Sequence, residues 1–176
     1  MYNDLETRDL IIRPSVVDDI ETFYLWEQES AVKEFFSIAQ NQSFETVIRT
    51  FIHADEDPEQ RQYTIILKKA RKPIGRIVLA GLIEGWKVEI FRIYIADPAL
   101  RNRGLGKQAM KALLKLCFED LAMERVYLDH YTGNPASHLY LSLGFCYEGV
   151  LRRNCRKNDK LYDVHLMSIL RDEYFC

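Results

Sequence analysis

The chain has 176 residues, with 24 basic against 26 acidic side chains and a formal net charge of −2. A chain of this length buries roughly 70% of its unfolded surface and needs no disulfide or metal staples; length alone favours one domain over 1–176. The balanced charge excludes a global basic field of the kind that binds nucleic acid, so no nucleic-acid partner is expected and any cationic site must be local.

Cys117, Cys146, Cys155 and Cys176 form no CxxC pair and no Cys/His metal spacing, so they read as reduced thiols and no metal site is expected. His53, His130, His138 and His165 are scattered and read as structural. The opening MYNDLETRD is acidic and has no apolar core, so no secretory leader is expected. No apolar run reaches the roughly 18–20 residues of a membrane helix. The expected setting is the cytoplasm, without a membrane partner.

Residues 8–14 (RDLIIRP) read as a short strand stopped by Pro14. Ser15 followed by Asp18 has the form of a helix start, and Ile20, Phe23 and Tyr24 recur at helical spacing, which predicts a helix over 17–29. Ser43 starts a second helix over 43–54 that carries Val47, Ile48, Phe51 and Ile52. An acidic run lies between and after them: Glu27, Glu29, Glu34, Asp55, Glu56, Asp57 and Glu59. Residues 63–67 and 73–82 read as a hairpin about the basic turn KKARK, and 86–96 as a long strand apolar on both faces, as a central strand is.

From Leu105, the residues Met110, Leu113, Leu114, Cys117, Phe118 and Leu121 follow helical spacing. Residues 125–129 are short and β-rich. Strand, helix, strand in this order implies a parallel crossover that sets 86–96 beside 125–129. Asn134-Pro135 has the form of an N-cap and first-turn pair for a short helix ended by Gly144. Residues 145–153 and 160–169 then form a hairpin about Asn158-Asp159, whose basic residues Arg152, Arg153, Arg156, Lys157 and Lys160 read as a solvated turn. The expected fold class is α/β: a mixed, mostly antiparallel sheet of six to seven strands with a central parallel crossover, flanked by about four helices.

The loop before the long helix carries the chemistry. Arg101, Asn102, Arg103, Gly104, Leu105, Gly106 and Lys107 stand where that helix begins. A helix N-terminus offers unpaired N–H groups and partial positive charge, glycines let a backbone approach a ligand, and Arg and Lys add formal charge; together they suit phosphate. A plain strand-to-helix loop and a dinucleotide fingerprint compete with a coenzyme A site, since Gly104–Ala109 satisfies G-x-G-x-x-A and Asp129 ends the next strand. The fingerprint fails in context, because 97–103 separate the strand from the first glycine and the repeated strand–helix units of a doubly wound domain are missing.

Arg101–Gly106 also has the form [Arg/Gln]-x-x-Gly-x-[Gly/Ala], which resembles the acyl-CoA pyrophosphate loop of the GNAT superfamily of N-acetyltransferases. Asn134-Pro135-Ala136, with Leu139-Tyr140 and Gly144-Phe145, is similar to the second motif of that family, with Asn134 six residues before Tyr140 where seven is commoner. Thr7-Arg8-x-Leu10-x-Ile12-Arg13-Pro14 and the ending from Glu148-Gly149 to Met167 resemble the branch of ribosomal-protein alanine and spermidine acetyltransferases. The resemblance implies an acetyl-CoA-dependent enzyme that passes an acetyl group to a primary amine (a polyamine, another small amine or a protein N-terminus) by direct attack through a tetrahedral intermediate, with a homodimer left open. It implies coenzyme contacts from 101–107, from the backbone of Ile93, Tyr94 and Ile95, and from Asn134 and Ser137. A non-catalytic acyl-CoA-binding regulatory module is the alternative reading.

Acyl transfer to an amine needs a base for the ammonium proton and an acid for the departing thiolate. Tyr140 matches the family's acid, although it also shares a helical face with Ala136, Leu139 and Leu143, as a core tyrosine would. Glu89, expected on the same strand face as Phe91 and Ile93, stands about where some members carry a catalytic glutamate; a structural pairing with Arg76 or Arg92 is the alternative. The acidic clusters, in the segment that forms part of the family's acceptor wall, would favour a cationic amine.

Overall fold

A computed structural model describes residues 4–34, 36, 38 and 42–176, which leaves the first three residues of the acidic opening outside the described residues. The strands are β1 (Leu5–Glu6), β2 (Leu10–Pro14), β3 (Arg61–Leu67), β4 (Lys72–Ile83), β5 (Lys87–Ile95), β6 (Arg125–Tyr131), β7 (Cys146–Lys157) and β8 (Lys160–Leu170). The helices are α1 (Ile20–Trp26), α2 (Ser30–Lys33), α3 (Phe44–Glu56), α4 (Leu105–Lys115), α5 (Ser137–Ser142) and α6 (Arg171–Phe175). The strands form one sheet in the order β1-β2-β3-β4-β5-β6-β8-β7, antiparallel except for β5 against β6, which α4 connects. The mixed α/β architecture and its central parallel pair are those expected. Among the described residues there are eight strands and six α-helices; the additional ones include two-residue β1, four-residue α2 and five-residue α6, too short to leave a periodic pattern.

Local chemistry explains the boundaries and corrects one of them. Ser43 caps α3 by accepting from the Thr46 N–H at 3.2 Å. At α1, Asp19 rather than Asp18 makes the capping contact: its carboxylate accepts from the Val16 N–H at 2.9 Å, while the Ser15 hydroxyl is turned to Thr64. Asn158 and Asp159 both take left-handed φ at the β7–β8 turn, a conformation that Asn and Asp tolerate. Lys157 of that hairpin donates to the backbone carbonyls of Lys33 and Glu34, so its tip clasps α2 as well as facing solvent.

The sheet is covered on both faces. The stripe Leu105, Ala109, Met110, Leu113 and Leu114 of α4 is buried, in one cluster with Val88, Ile90, Val126, Leu128 and Met167. The helix then continues as a π-helical turn, Leu116–Asp120, rather than as α-helix to 121. Ile20 and Phe23 of α1 pack with Val47 and Phe51 of α3 in a second cluster.

One irregularity sets the geometry of the centre. Val78 pairs with Arg92 but its neighbour Leu79 pairs with Ile90, so Phe91 is an extra, exposed residue on β5. A β-bulge of this kind disturbs the alternation of faces. Val88 and Ile90 before it, and Ile93 and Ile95 after it, all pack against the main core, whereas Tyr94 belongs to the cluster of Val32 and Ile38. The expectation that Glu89, Phe91 and Ile93 share one face is therefore corrected: it assumed unbroken alternation.

Candidate active site

The parallel register of β5 and β6 runs only from Lys87↔Arg125 to Glu89↔Tyr127. Beyond it the strands part, β5 keeping β4 as its partner to Ile95 and β6 keeping β8. The edge of β5 facing the opening has no strand against it. Two cavities, of about 190 and 270 Å³, fill the opening and share Phe36, Ile93, Asn134 and Tyr140 as a common wall.

The larger cavity lies toward the N-terminus of α4. Its walls include Ile93, Tyr94, Ile95, Arg101, Asn102 and Gly106. Gly104 caps the helix at φ +78, and the first helical bond of the α4 N-terminus is Gln108 N–H to Gly104 carbonyl. The N–H groups of Leu105, Gly106 and Lys107 therefore lack intrahelical acceptors. A Cβ built on Gly106 would meet nothing nearer than Leu139 Cδ2 at 3.8 Å, and one on Gly104 would meet nothing within 4 Å. These glycines thus keep space clear of the protein rather than relieve a packing clash. Arg103 and Lys107 are exposed and make no ion pair among the described residues.

Arg101, in contrast, is committed to the protein. Its guanidinium donates to the Ile95 carbonyl at 3.0 Å and to the Ala31 carbonyl at 2.9 Å, tying the end of β5 to α2. The Leu105 side chain is core, leaving only its backbone for a ligand. Ser137 opens α5 but lies on neither cavity wall. Asn134 is on both walls, and its side chain accepts from the Ala136 N–H at 2.9 Å, forming the turn before α5; the helix itself begins two residues later than expected, with Ala136 rather than Asn134 at its N-cap. A bare helix terminus, flanking cations, the clearance at Gly106 and an open β5 edge fit a coenzyme A diphosphate and its pantetheine arm.

The smaller cavity has Glu89, Asp129 and Tyr140 on its walls. Tyr140 is 7% exposed, and its hydroxyl has no hydrogen-bond partner among the described residues. Burial, then the nearby Asp129 charge, push its pKa up to about 12. Burial likewise raises Glu89, with a further contribution from Asp129, and burial raises Asp129 with His130 opposing. Glu89 does not pair with Arg76 or Arg92. Both arginines donate instead to one oxygen of buried Glu27, at 2.8 and 2.7 Å. Glu27 is therefore an internal counter-ion rather than an acid presented to an acceptor, and Asp55–Glu59 lie outside the walls of this cavity.

Sequence reading missed Asp129 as a cavity residue because it took 129 as the end of a strand. β6 runs on to Tyr131, and alternation from Tyr127 puts Asp129 on the face of Glu89's register partner. The only signal available was that alternation. Among the described residues no group of three or more His, Cys, Asp or Glu could hold a metal, and no helix is long and apolar enough to cross a membrane.

Comparison with known proteins agrees with this geometry. The family model described as an acetyltransferase (GNAT) domain matches residues 9–145. The N-acetyltransferase YoaA of Bacillus subtilis (strain 168) is 26% identical over 175 residues, covering 97% of this chain and 98% of the relative. The spermidine N(1)-acetyltransferase of Vibrio cholerae is 30% identical over 124 residues, 69% of each chain. A crystal structure of Vibrio cholerae spermidine N-acetyltransferase in complex with CoA and spermine superposes with a TM-score of 0.86 at 22% identity, covering 97% of this chain and 100% of that one. A cleft with an anion seat on one side and a phenol at its middle, on this sheet, is what the family match explains: the chain belongs to the GNAT acetyltransferase family and is an acetyl-CoA-dependent N-acetyltransferase.

Proposed function

We propose that residues 1–176 work as one catalytic domain that acetylates a primary amine of a small cationic acceptor, a polyamine foremost. The observation that carries this reading is the meeting of two cavities at Tyr140, one beside the α4 N-terminus and one beside two carboxylates. Acetyl-CoA, when bound, supplies the acetyl group as a thioester. The N–H groups of 105–107, with Asn102, Arg103 and Lys107, hold its diphosphate. The open backbone of Ile93 and Tyr94 receives the pantetheine arm as an added strand would. Arg101 keeps the end of β5 and α2 in position for that contact.

Glu89 takes the proton that the acceptor ammonium must lose, and its raised pKa brings it nearer to a useful range for a base. Tyr140 keeps its proton at neutral pH and gives it to the departing thiolate. Carboxylates on the acceptor side, and a spermidine acetyltransferase among the relatives, support a cationic acceptor. We place the enzyme in the cytoplasm, in keeping with its free cysteines, and expect a dimer by analytical ultracentrifugation. The test is release of free CoA thiol over a panel of polyamines, aminoglycosides, amino acids and N-terminal peptides. Turnover should be fastest with polyamines; turnover of acidic or neutral amines alone would overturn the acceptor assignment.

A further inference from the structure

The mechanism above gives a role to only one of the two carboxylates on the acceptor side. Glu89 stands at the last registered pair of β5 and β6, opposite Tyr127, and Asp129 is the next residue of β6 on the Tyr127 face. Two residues of strand advance by roughly 6.6 Å, so the carboxylates flank the point where the strands separate. Both line the same small cavity with Tyr140. Neither has a hydrogen-bond or ion-pair partner among the described residues.

Apart from His130, which acts on Asp129 through space, no cation among the described residues is spent on these two groups, and this is not for want of cations. Arg92 lies on the same cavity wall, but its guanidinium and that of Arg76 are bound to Glu27. Two carboxylates, Glu89 half-buried and Asp129 exposed at the cavity mouth, repel each other across one space, and a cation between them relieves both. The space of about 190 Å³ suits a small cation. A primary ammonium has three N–H donors, enough to reach two carboxylates at once and leave one direction over.

We propose that Asp129 is an acceptor-binding residue: with Glu89 it holds a single ammonium group of the acceptor between the parting strands, beside Tyr140. This rests on the transferase reading above. The acceptor then arrives protonated and is oriented before Glu89 removes its proton, and Asp129 selects cationic amines by charge. Asp129 needs no proton of its own for this role.

The test is a double-mutant cycle on spermidine binding to the CoA-loaded protein, measured calorimetrically for wild type, Asp129→Asn, Glu89→Gln and the double variant. CoA affinity should be equal in all four, which reports that each is folded. Each single change should weaken spermidine by about tenfold or more, as loss of a hydrogen bond to a charged group does. The double variant should bind little worse than the weaker single, because residues sharing one partner are not additive. Asp129→Glu should keep most of the affinity, and Asp129→Asn should raise KM for spermidine more than it lowers kcat. Unchanged binding in Asp129→Asn, losses that multiply in the double variant, or a wild type that acetylates amines without binding spermidine would each overturn the shared seat. Failure of the wild type to acetylate any amine would overturn the transferase reading itself.

Discussion

Tyr140 holds its proton because the walls around it, and the charge of Asp129, disfavour a phenolate. Its supply of that proton is therefore constant through neutral pH. Tyr140→Phe should lower kcat by roughly 10²–10⁴-fold, the usual contribution of a positioned acid, with little change in CoA affinity; steady-state kinetics with a calorimetric CoA titration would check both. Glu89 behaves oppositely, since a base acts only when deprotonated. Its pKa is raised, so kcat/KM should fall as pH drops through a value above the ordinary glutamate range, and Glu89→Gln should remove that limb of the pH profile. Tyr140 was legible in the sequence because a motif surrounds it. Asp129 was not, because its importance comes from where two strands separate, which no local pattern records.

At the scale of elements, the glycines divide into two kinds that the sequence could not tell apart. Gly106 borders open space, so Gly106→Ala should leave thermal stability unchanged or slightly improved, within about 1 kcal/mol, while weakening acetyl-CoA binding at least about tenfold; a melting curve with and without the coenzyme would separate the two effects. Gly75 is in the opposite situation. A Cβ there would fall 2.2 Å from the Tyr94 carbonyl oxygen, where β4 lies against β5. Gly75→Ala should cost about 1–3 kcal/mol, as overpacking does, and urea unfolding would read it. The α4 helix and both hairpins were legible from periodicity and turn residues. Short α2 and α6 were not, since one turn of helix shows no period. Arg101 was legible as a cation of the loop, but its use as a tie between Ile95 and Ala31 depends on two carbonyls brought together only by folding.

Across the molecule, Glu27 links the helical layer to the sheet. It is 1% exposed and accepts from Arg76 and Arg92 on neighbouring strands, while Arg76 also donates to Gln62 at 2.5 Å and lies over the Phe23 ring. Glu27→Ala would leave two buried or half-buried guanidinium groups without their anion, which should cost about 3–5 kcal/mol; the shift in urea midpoint measures it. In the sequence Glu27 looked like one member of an acidic run, because composition does not distinguish a buried acid from a solvated one. The sheet's single parallel pair and its hairpins were foreseeable from strand and helix succession, whereas the place of β8 between β6 and β7 and the bulge at the centre were not.

That extra residue at Phe91 puts the two halves of β5 half a period out of step. Removing it would let plain alternation carry Ile93 and Ile95 to the side of Val88 and Ile90, the side they already occupy, and leave Arg92 and Tyr94 on the side of Glu27. A single-residue deletion here would thus spare the packing of the strand and take away only its local kink, whereas an insertion or deletion at a regular position of β5 would turn the residues beyond it to the wrong face.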